Sequence, residues 1–329
     1  MARVAITLGD QAGVGPEVIA KLLSDPQNLE NVEVVLLANE DELRSAEQQA
    51  GVSVPWSLDR KPGFVQLLPS SENAQHITLK EVSAAAGARV IHQLSRALSM
   101  ARSQEINAIL FGPLNKTSLK LAGMNHEDEL RWFATELGFD GFTSELNILA
   151  ELTTARVTSH IPMSEVAENV KHERVVAAIK LLNETLITAG KPSPRLGVCA
   201  LNPHAGENGN FGREELDIIA PAVLAAKELG IDVEGPYPSD TIFATRRNLY
   251  DGIVTMYHDQ GQIAMKLIGF DSGVTVQGGL PISIATPAHG TAFDIVGQGK
   301  ASMGATQHAF DHTVRAALRN AKEFDGTPS

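Results

Sequence analysis

Val4-Ala5-Ile6-Thr7-Leu8, followed by Gly9-Asp10-Gln11-Ala12-Gly13-Val14-Gly15-Pro16, is the stretch that sets the fold class. The apolar run reads as a buried strand, and the glycines after it mark a tight loop. Pro16 then opens a helix, at a position where its missing N–H costs nothing. Strand, glycine loop and helix make one βα step of an α/β protein. No third glycine follows at the spacing of a dinucleotide fingerprint, and the next strand, Val34–Leu37, does not end securely in the expected acid. The loop reads either as an anion seat built from backbone N–H groups and a helix dipole, or simply as a sharp βα turn.

The same alternation continues down the chain. Residues 51–80 are irregular. Glu81 to about Ser103 has helical periodicity with an alanine-rich face (Ala84, Ala85, Ala86, Ala88) suited to close packing. Ala108–Phe111 is a strand that runs into Gly112-Pro113-Leu114-Asn115-Lys116, placing a lysine just past a strand end. Residues 126–136 open as an acidic helix start. Leu146–Ala150 and Ala155–Thr158 resemble a strand pair, and 172–189 is an amphipathic helix with Val175, Val176, Ile179, Leu182 and Leu186 at core spacing. Strands at Leu196–Leu201 and Ile253–Tyr257, and helices at Glu214–Leu229 and 305–324, complete the pattern. This predicts largely parallel sheets covered on both faces. A chain of 329 residues is too long for one ordinary core and predicts two domains.

Composition narrows the function. Apolar and charged fractions of 43% and 20% are those of a soluble globular protein. The single cysteine, Cys199, excludes intrachain disulfides and multi-thiolate metal sites and fits a reducing cytoplasm. The N-terminus moves into a strand without signal-peptide organisation, and no apolar run reaches the ~18 residues of a membrane span, so a cytoplasmic protein without membrane attachment is expected. A net charge of −12 with no basic block argues against nucleic acid as a partner. An anionic substrate then needs local cations or a metal.

Three histidines stand out. Arg156-Val157-Thr158-Ser159-His160, Cys199-Ala200-Leu201-Asn202-Pro203-His204 and Thr255-Met256-Tyr257-His258 each place an imidazole just past an apolar run. Ligands of open α/β sheets gather beyond the carboxyl ends of the strands, and neutral histidine is a common ligand for divalent metals. One such histidine is usually a loop residue; three in the same setting point to a metal site. Asp259 and Asp240 are placed to orient an imidazole or to neutralise the cation.

Taken together, Gly9-Asp10…Gly13-Val14-Gly15-Pro16-Glu17, Gly112–Lys116, Asn202–Glu207, Ser239-Asp240-Thr241, Tyr257-His258-Asp259-Gln260-Gly261 and His289-Gly290-Thr291-Ala292 resemble, in order, the motifs of the 4-hydroxythreonine-4-phosphate dehydrogenase family. The resemblance covers nearly the whole chain. It implies two α/β/α domains with a cleft between them, of the isocitrate/isopropylmalate dehydrogenase type. The expected domains are 1–117 plus 270–329 on the cofactor side, and 118–269 for metal, substrate and dimerisation. The resemblance further implies a homodimer with a shared active site, and a small-molecule substrate. NAD, or alternatively NADP, is the implied cofactor, with His289, Gly290, Thr291 and Asp294 binding it. His160, His204 and His258, contributed across the dimer, are the implied ligands of a divalent metal (zinc, magnesium, manganese or cobalt). Lys266 and His126 match substrate-binding positions. The implied reaction oxidises a secondary alcohol of a hydroxy acid and then releases the neighbouring carboxylate as carbon dioxide. Lys116, Asp240 and Asp259 are its candidate proton carriers.

The departures from the family pattern concern the phosphate. Where members acting on the phosphorylated substrate carry Gly-His-Thr-Glu, this chain reads Asn125-His126-Glu127-Asp128, and two acids repel a dianion. The usual substrate-binding asparagine and arginine align with Thr275 and Ile284. Loss of a bidentate arginine removes the strongest contact such a pocket offers. This favours an unphosphorylated hydroxy acid or cis-dihydrodiol, with a phosphorylated four-carbon sugar acid as the alternative. A non-catalytic binding protein closing around a ligand is the reading from a different class, and the histidine triple argues against it.

Overall fold

The computed structural model describes residues 1–149, 152–269 and 273–324, the side chains of 322–324 excepted. The expected strand end at Ala150 and the motif residue Phe270 lie outside the described residues. In chain order the strands are β1 (Arg3–Thr7), β2 (Glu33–Leu36), β3 (Trp56–Ser57), β4 (Val65–Leu67), β5 (Ala108–Phe111), β6 (Ser144–Ile148), β7 (Thr153–Arg156), β8 (Leu196–Cys199), β9 (Val233–Tyr237), β10 (Gly252–Thr255), β11 (Val274–Gly278) and β12 (Ser283–Pro287). They belong to two compact units: Met1–Phe139, Asp271–Val274 and Leu280–Ser329 form the first, Asp140–Phe270 and Thr275–Gly279 the second.

In the first unit the strand order is β3-β4-β2-β1-β5-β12, and the neighbouring strands are parallel throughout. Both faces are covered, as a buried parallel sheet requires. Ala5, Val35, Ile109, Phe111 and Ile284 pack with Val90, Leu94 and Leu98 of the helix Ala84–Arg102. The alternate residues Val4, Ile6, Val34, Leu36, Ala108 and Leu110 are just as buried, and the helix Gly304–Phe324 packs on β1, β5 and β12. The stretch 118–139 joins this unit because Leu119, Met124, Trp132 and Phe133 sit in the same core, which carries the unit past the expected limit at 117.

Local chemistry sets the element ends. Ser83 accepts a hydrogen bond from Ala86 N–H (3.1 Å) and so starts its helix at Ala84, three residues after Glu81. Asp128 caps the helix Glu129–Leu137 by accepting from Arg131 N–H (2.8 Å), and Gly138 ends it in the left-handed region. The close approach expected of the alanine-rich face centres on Gly87, where a Cβ would lie 2.0 Å from the Ser118 carbonyl oxygen. Residues 51–80, read as irregular, contain β3 and β4; runs of two and three residues are too short to show a period.

In the second unit the order is β11-β6-β7-β10-β8-β9. β6 and β7 form the expected antiparallel pair, and β7, β10, β8 and β9 are parallel neighbours. The helix His172–Thr188 packs on β7 and β10. Cys199, Ile242, Phe243, Tyr250, Ile253 and Met265 share a core cluster. Burial pushes the Cys199 thiol up to about 12, so it stays protonated and serves as packing. The helix expected over Glu214–Leu229 opens with a wide turn, Glu215–Ile219, before the regular Ala220–Glu228; Pro221 cannot supply the N–H that would join the two.

Candidate active site

β7, β10 and β8 lie side by side and run the same way, so their carboxyl ends share one edge of the second unit. His160, His258 and His204 follow these three strands. The ring centroids of His160 and His258 are 5.4 Å apart. His258 is the first residue of the helix His258–Ile268, and its Nδ1 lies 2.7 Å from Asp259 Oδ1. An ionised carboxylate can only accept, so Nδ1 carries a proton, and in the neutral tautomer the lone pair is then on Nε2. This is the arrangement of a metal-binding imidazole oriented from behind by an acid.

His204 sits in a left-handed turn. It and the next four residues, Ala205 to Asn208, all have positive φ, between 43° and 74°. Gly206 adopts this freely and Asn208 readily, whereas Ala205 and Glu207 each cost on the order of 1 kcal/mol. The His204 ring centroid lies 6.3 Å from that of Phe211. By its chemistry the donor set suits a divalent cation: three imidazoles follow neighbouring strand ends and two of them are adjacent, although among the described residues the three rings do not bring their nitrogens within 4.8 Å of one another.

Asp240 is exposed, and its Oδ1 accepts a long bond from the Thr241 hydroxyl (3.5 Å). With Asp259, Gln260, Tyr257 and Phe243 it lines a pocket of about 450 Å³. Lys266 is exposed on the helix that His258 begins. Thr275 is bound in place by Asn147 Nδ2 (3.4 Å), whose Oδ1 accepts from Gln262 (2.8 Å). Three residues not singled out from the sequence also act at these strand ends: Thr158, Gln260 and Glu215. Gln260 lay within a quoted motif, but nothing local marks Glu215, which is separated from its partners by a loop.

In the first unit the strand order reverses at β1, between β2 and β5, which is where a doubly wound sheet leaves its crevice. The loops after β1 and β5 meet there. Asp10 N–H donates to Pro113 O (2.9 Å), and a Cβ on Gly9 would lie 2.5 Å from the Gly112 carbonyl carbon. Asp10 is fully buried. Burial raises its carboxyl above the usual carboxylate range against the Ala12 N–H and the Ser118 hydroxyl, which stabilise the charge. Lys116 begins the helix Lys116–Leu121, with Nζ 3.9 Å from Glu129 Oε2. His126 has a buried Nδ1 with no hydrogen-bond partner among the described residues. Glu127 is exposed, and Asp128 is occupied as a helix cap. Ile284 is completely buried in the core, so β12 presents no polar group at this position.

The expected cofactor segment packs directly on the loop after β1. Val14 N–H donates to Thr291 O (2.9 Å), and a Cβ on Gly13 would lie 2.6 Å from Thr291 Cβ. His289 Nδ1 meets Gly290 O (3.1 Å), while its Nε2 is buried with no hydrogen-bond partner among the described residues. A buried orphan nitrogen is costly, and a ligand atom can relieve it. Gly290 has open space where a Cβ would stand, and Asp294 is exposed. The segment fits a cofactor seat.

The family model described as pyridoxal phosphate biosynthetic protein PdxA matches residues 19–313. The chain belongs to the PdxA family. A Pseudomonas aeruginosa protein provisionally named 4-hydroxythreonine-4-phosphate dehydrogenase 2 is 52% identical over 330 residues, covering 97% of this chain and 98% of its own. The crystal structure of 4-hydroxythreonine-4-phosphate dehydrogenase from Klebsiella pneumoniae matches with a TM-score of 0.80 at 32% identity, over 96% of this chain and 98% of that one. A terephthalate 1,2-cis-dihydrodiol dehydrogenase from Burkholderia xenovorans LB400 matches with a TM-score of 0.69 at 26% identity, over 95% and 98%. This PdxA-family chain is a dehydrogenase, an oxidoreductase acting on a CH–OH group. Among the described residues, no helix is long and apolar enough to cross a membrane.

Proposed function

We propose that this dehydrogenase oxidises the secondary alcohol of an unphosphorylated hydroxy acid or cis-dihydrodiol. NAD accepts the hydride, and where the substrate carries a neighbouring carboxylate, that group then leaves as carbon dioxide. The observation that carries the reading is the delivery of His160, His258 and His204 to one strand-end edge, with Asp259 on Nδ1 of His258. We further propose a cytoplasmic homodimer in which the two chains share each active site.

His160, His204 and His258 would hold the divalent cation. When bound, such an ion lowers the pKa of an alcohol and stabilises enolate charge. Asp259 keeps the Nε2 lone pair of His258 directed outward. Asp259 is thereby committed, which leaves Lys116 and Asp240, both open to solvent, to carry the alcohol proton. Thr291 and His289 seat the cofactor, with the unpartnered His289 Nε2 available to it. The buried Ile284 supports an unphosphorylated substrate, because a dianion has no guanidinium to meet at that position.

The experiment is NADH formation, followed by absorbance, in the presence of zinc, magnesium or manganese. It compares 4-phosphohydroxythreonine with a panel of unphosphorylated hydroxy acids and dihydrodiols, alongside His204→Ala. Turnover confined to unphosphorylated compounds and lost in the variant is expected. Efficient turnover of the phosphorylated compound alone would sink the substrate assignment. Turnover unaffected in the variant would sink the metal assignment.

A further inference from the structure

Each of the three histidines stands two residues beyond a backbone group that a side chain or neighbouring strand pins in place. Before His160, Thr158 donates its N–H (3.0 Å) and its hydroxyl (2.8 Å) to Met256 O. Before His258, Met256 N–H donates to Gln260 Oε1 (2.7 Å). Before His204, the N–H groups of Leu201 and Asn202 both donate to Glu215 Oε1 (2.8 and 2.7 Å), and Asn202 Nδ2 donates to Glu215 Oε2 (3.0 Å).

The pins are also joined across strands. Gln260 Nε2 donates to Ala200 O (2.8 Å), so one amide holds the end of β10 with its oxygen and the end of β8 with its nitrogen. Ser239 Oγ donates to the same carbonyl (3.1 Å). Glu215 is 3% exposed, so its carboxylate is removed from water and satisfied by the strand end it holds.

We propose that Gln260 and Glu215 are positioning residues for the metal site: they fix the spacing of the strand ends that carry His258 and His204 without touching the ion. This rests on the metal reading above. A ligand set held by rigid strand ends binds without first being ordered, and loosening one strand end restores that cost.

The test is zinc binding by isothermal titration calorimetry to the chelator-treated full-length chain, with thermal unfolding measured on the same samples. Gln260→Ala is expected to weaken zinc binding about 10- to 100-fold, the usual effect of removing a group that orients a ligand. Glu215→Gln keeps the Oε1 acceptor and is expected to stay within about threefold of the parent, whereas Glu215→Ala is expected to fall with Gln260→Ala. Parent-like zinc affinity in both alanine variants, whatever their melting temperature, overturns the proposal. If the alanine variants do not fold, Gln260→Glu decides: it keeps an acceptor for Met256, removes the donor to Ala200 and sets a carboxylate oxygen against that carbonyl. It is expected to bind zinc at least about 10-fold more weakly, and parent-like affinity overturns the proposal. His258→Ala separates the two failures, because zinc binding unchanged in that variant removes the metal reading itself.

Discussion

His258 Nδ1 and Asp259 Oδ1 lie 2.7 Å apart, on consecutive residues of the first turn of one helix. Replacing Asp259 by alanine frees the ring to rotate and to change tautomer. We expect metal affinity about 10- to 100-fold weaker, with a smaller loss for Asp259→Asn, whose amide oxygen can still accept. Calorimetric titration with zinc checks this, and equal affinities for the parent and Asp259→Ala would show that the pair is incidental.

Gly13 and Thr291 are a second tight pair. A methyl group on Gly13 would sit 2.6 Å from Thr291 Cβ and 2.8 Å from its carbonyl oxygen, so the cofactor segment must shift. Gly13→Ala should raise KM for NAD about 10-fold, roughly 1.4 kcal/mol, and leave KM for the alcohol nearly unchanged. Steady-state kinetics with each substrate varied in turn separates the two. An unchanged KM for NAD means that Thr291 does not seat the cofactor.

How much of this was legible in the chain follows from the range of the interactions. The βα alternation, the strand pair at β6 and β7 and the three histidine-bearing strand ends rest on local pattern, and the fold retains them. Asp259 was readable because it adjoins its histidine. Glu215 was not, since its partners are 13 and 14 residues away in sequence. Nor was the left-handed turn at His204, where two of the four non-glycine residues, Ala205 and Glu207, are not the usual left-handed formers. The strands β11 and β12 were not legible, since β11 runs into Gly278 and Gly279 and the five residues of β12 end in Pro287; a Cβ on Gly279 would lie 2.2 Å from Phe142 O, which is why glycine stands there.

Arg89 and Glu42 form a buried pair, with side chains 1% and 9% exposed. Arg89 Nε and Nη2 donate to the two carboxylate oxygens at 2.6 and 2.8 Å. Burial alone would raise the Glu42 carboxyl, but Arg89, Gln11 and the Asn39 N–H outweigh it and hold it below the usual range. Its contribution to stability is present above the ordinary carboxyl pKa and is lost as pH falls through the lowered one. Arg89→Met should cost about 3–5 kcal/mol because it strands a buried charge, whereas Arg89→Met with Glu42→Leu should cost less. Urea unfolding of the single and double variants tests this, and a double variant less stable than the single one contradicts it.

His312 gives the clearest pH dependence. It lies in the terminal helix, 4% exposed, and burial, with the charge of Arg315 adding to it, pushes the imidazole down to about 4 from an ordinary 6.5. Between those values the unfolded chain binds a proton that the folded chain refuses, so stability is full above about pH 6.5 and falls as pH drops toward 4. The whole effect is about 3 kcal/mol, of which about 2 kcal/mol is reached by pH 5. His312→Leu removes the titrating group while keeping an apolar side chain in the buried position. Urea unfolding at pH 7 and pH 5 should show the parent losing about 2 kcal/mol more than the variant over that interval. Equal losses in the two proteins would mean that His312 reaches water and accepts its proton in the folded state.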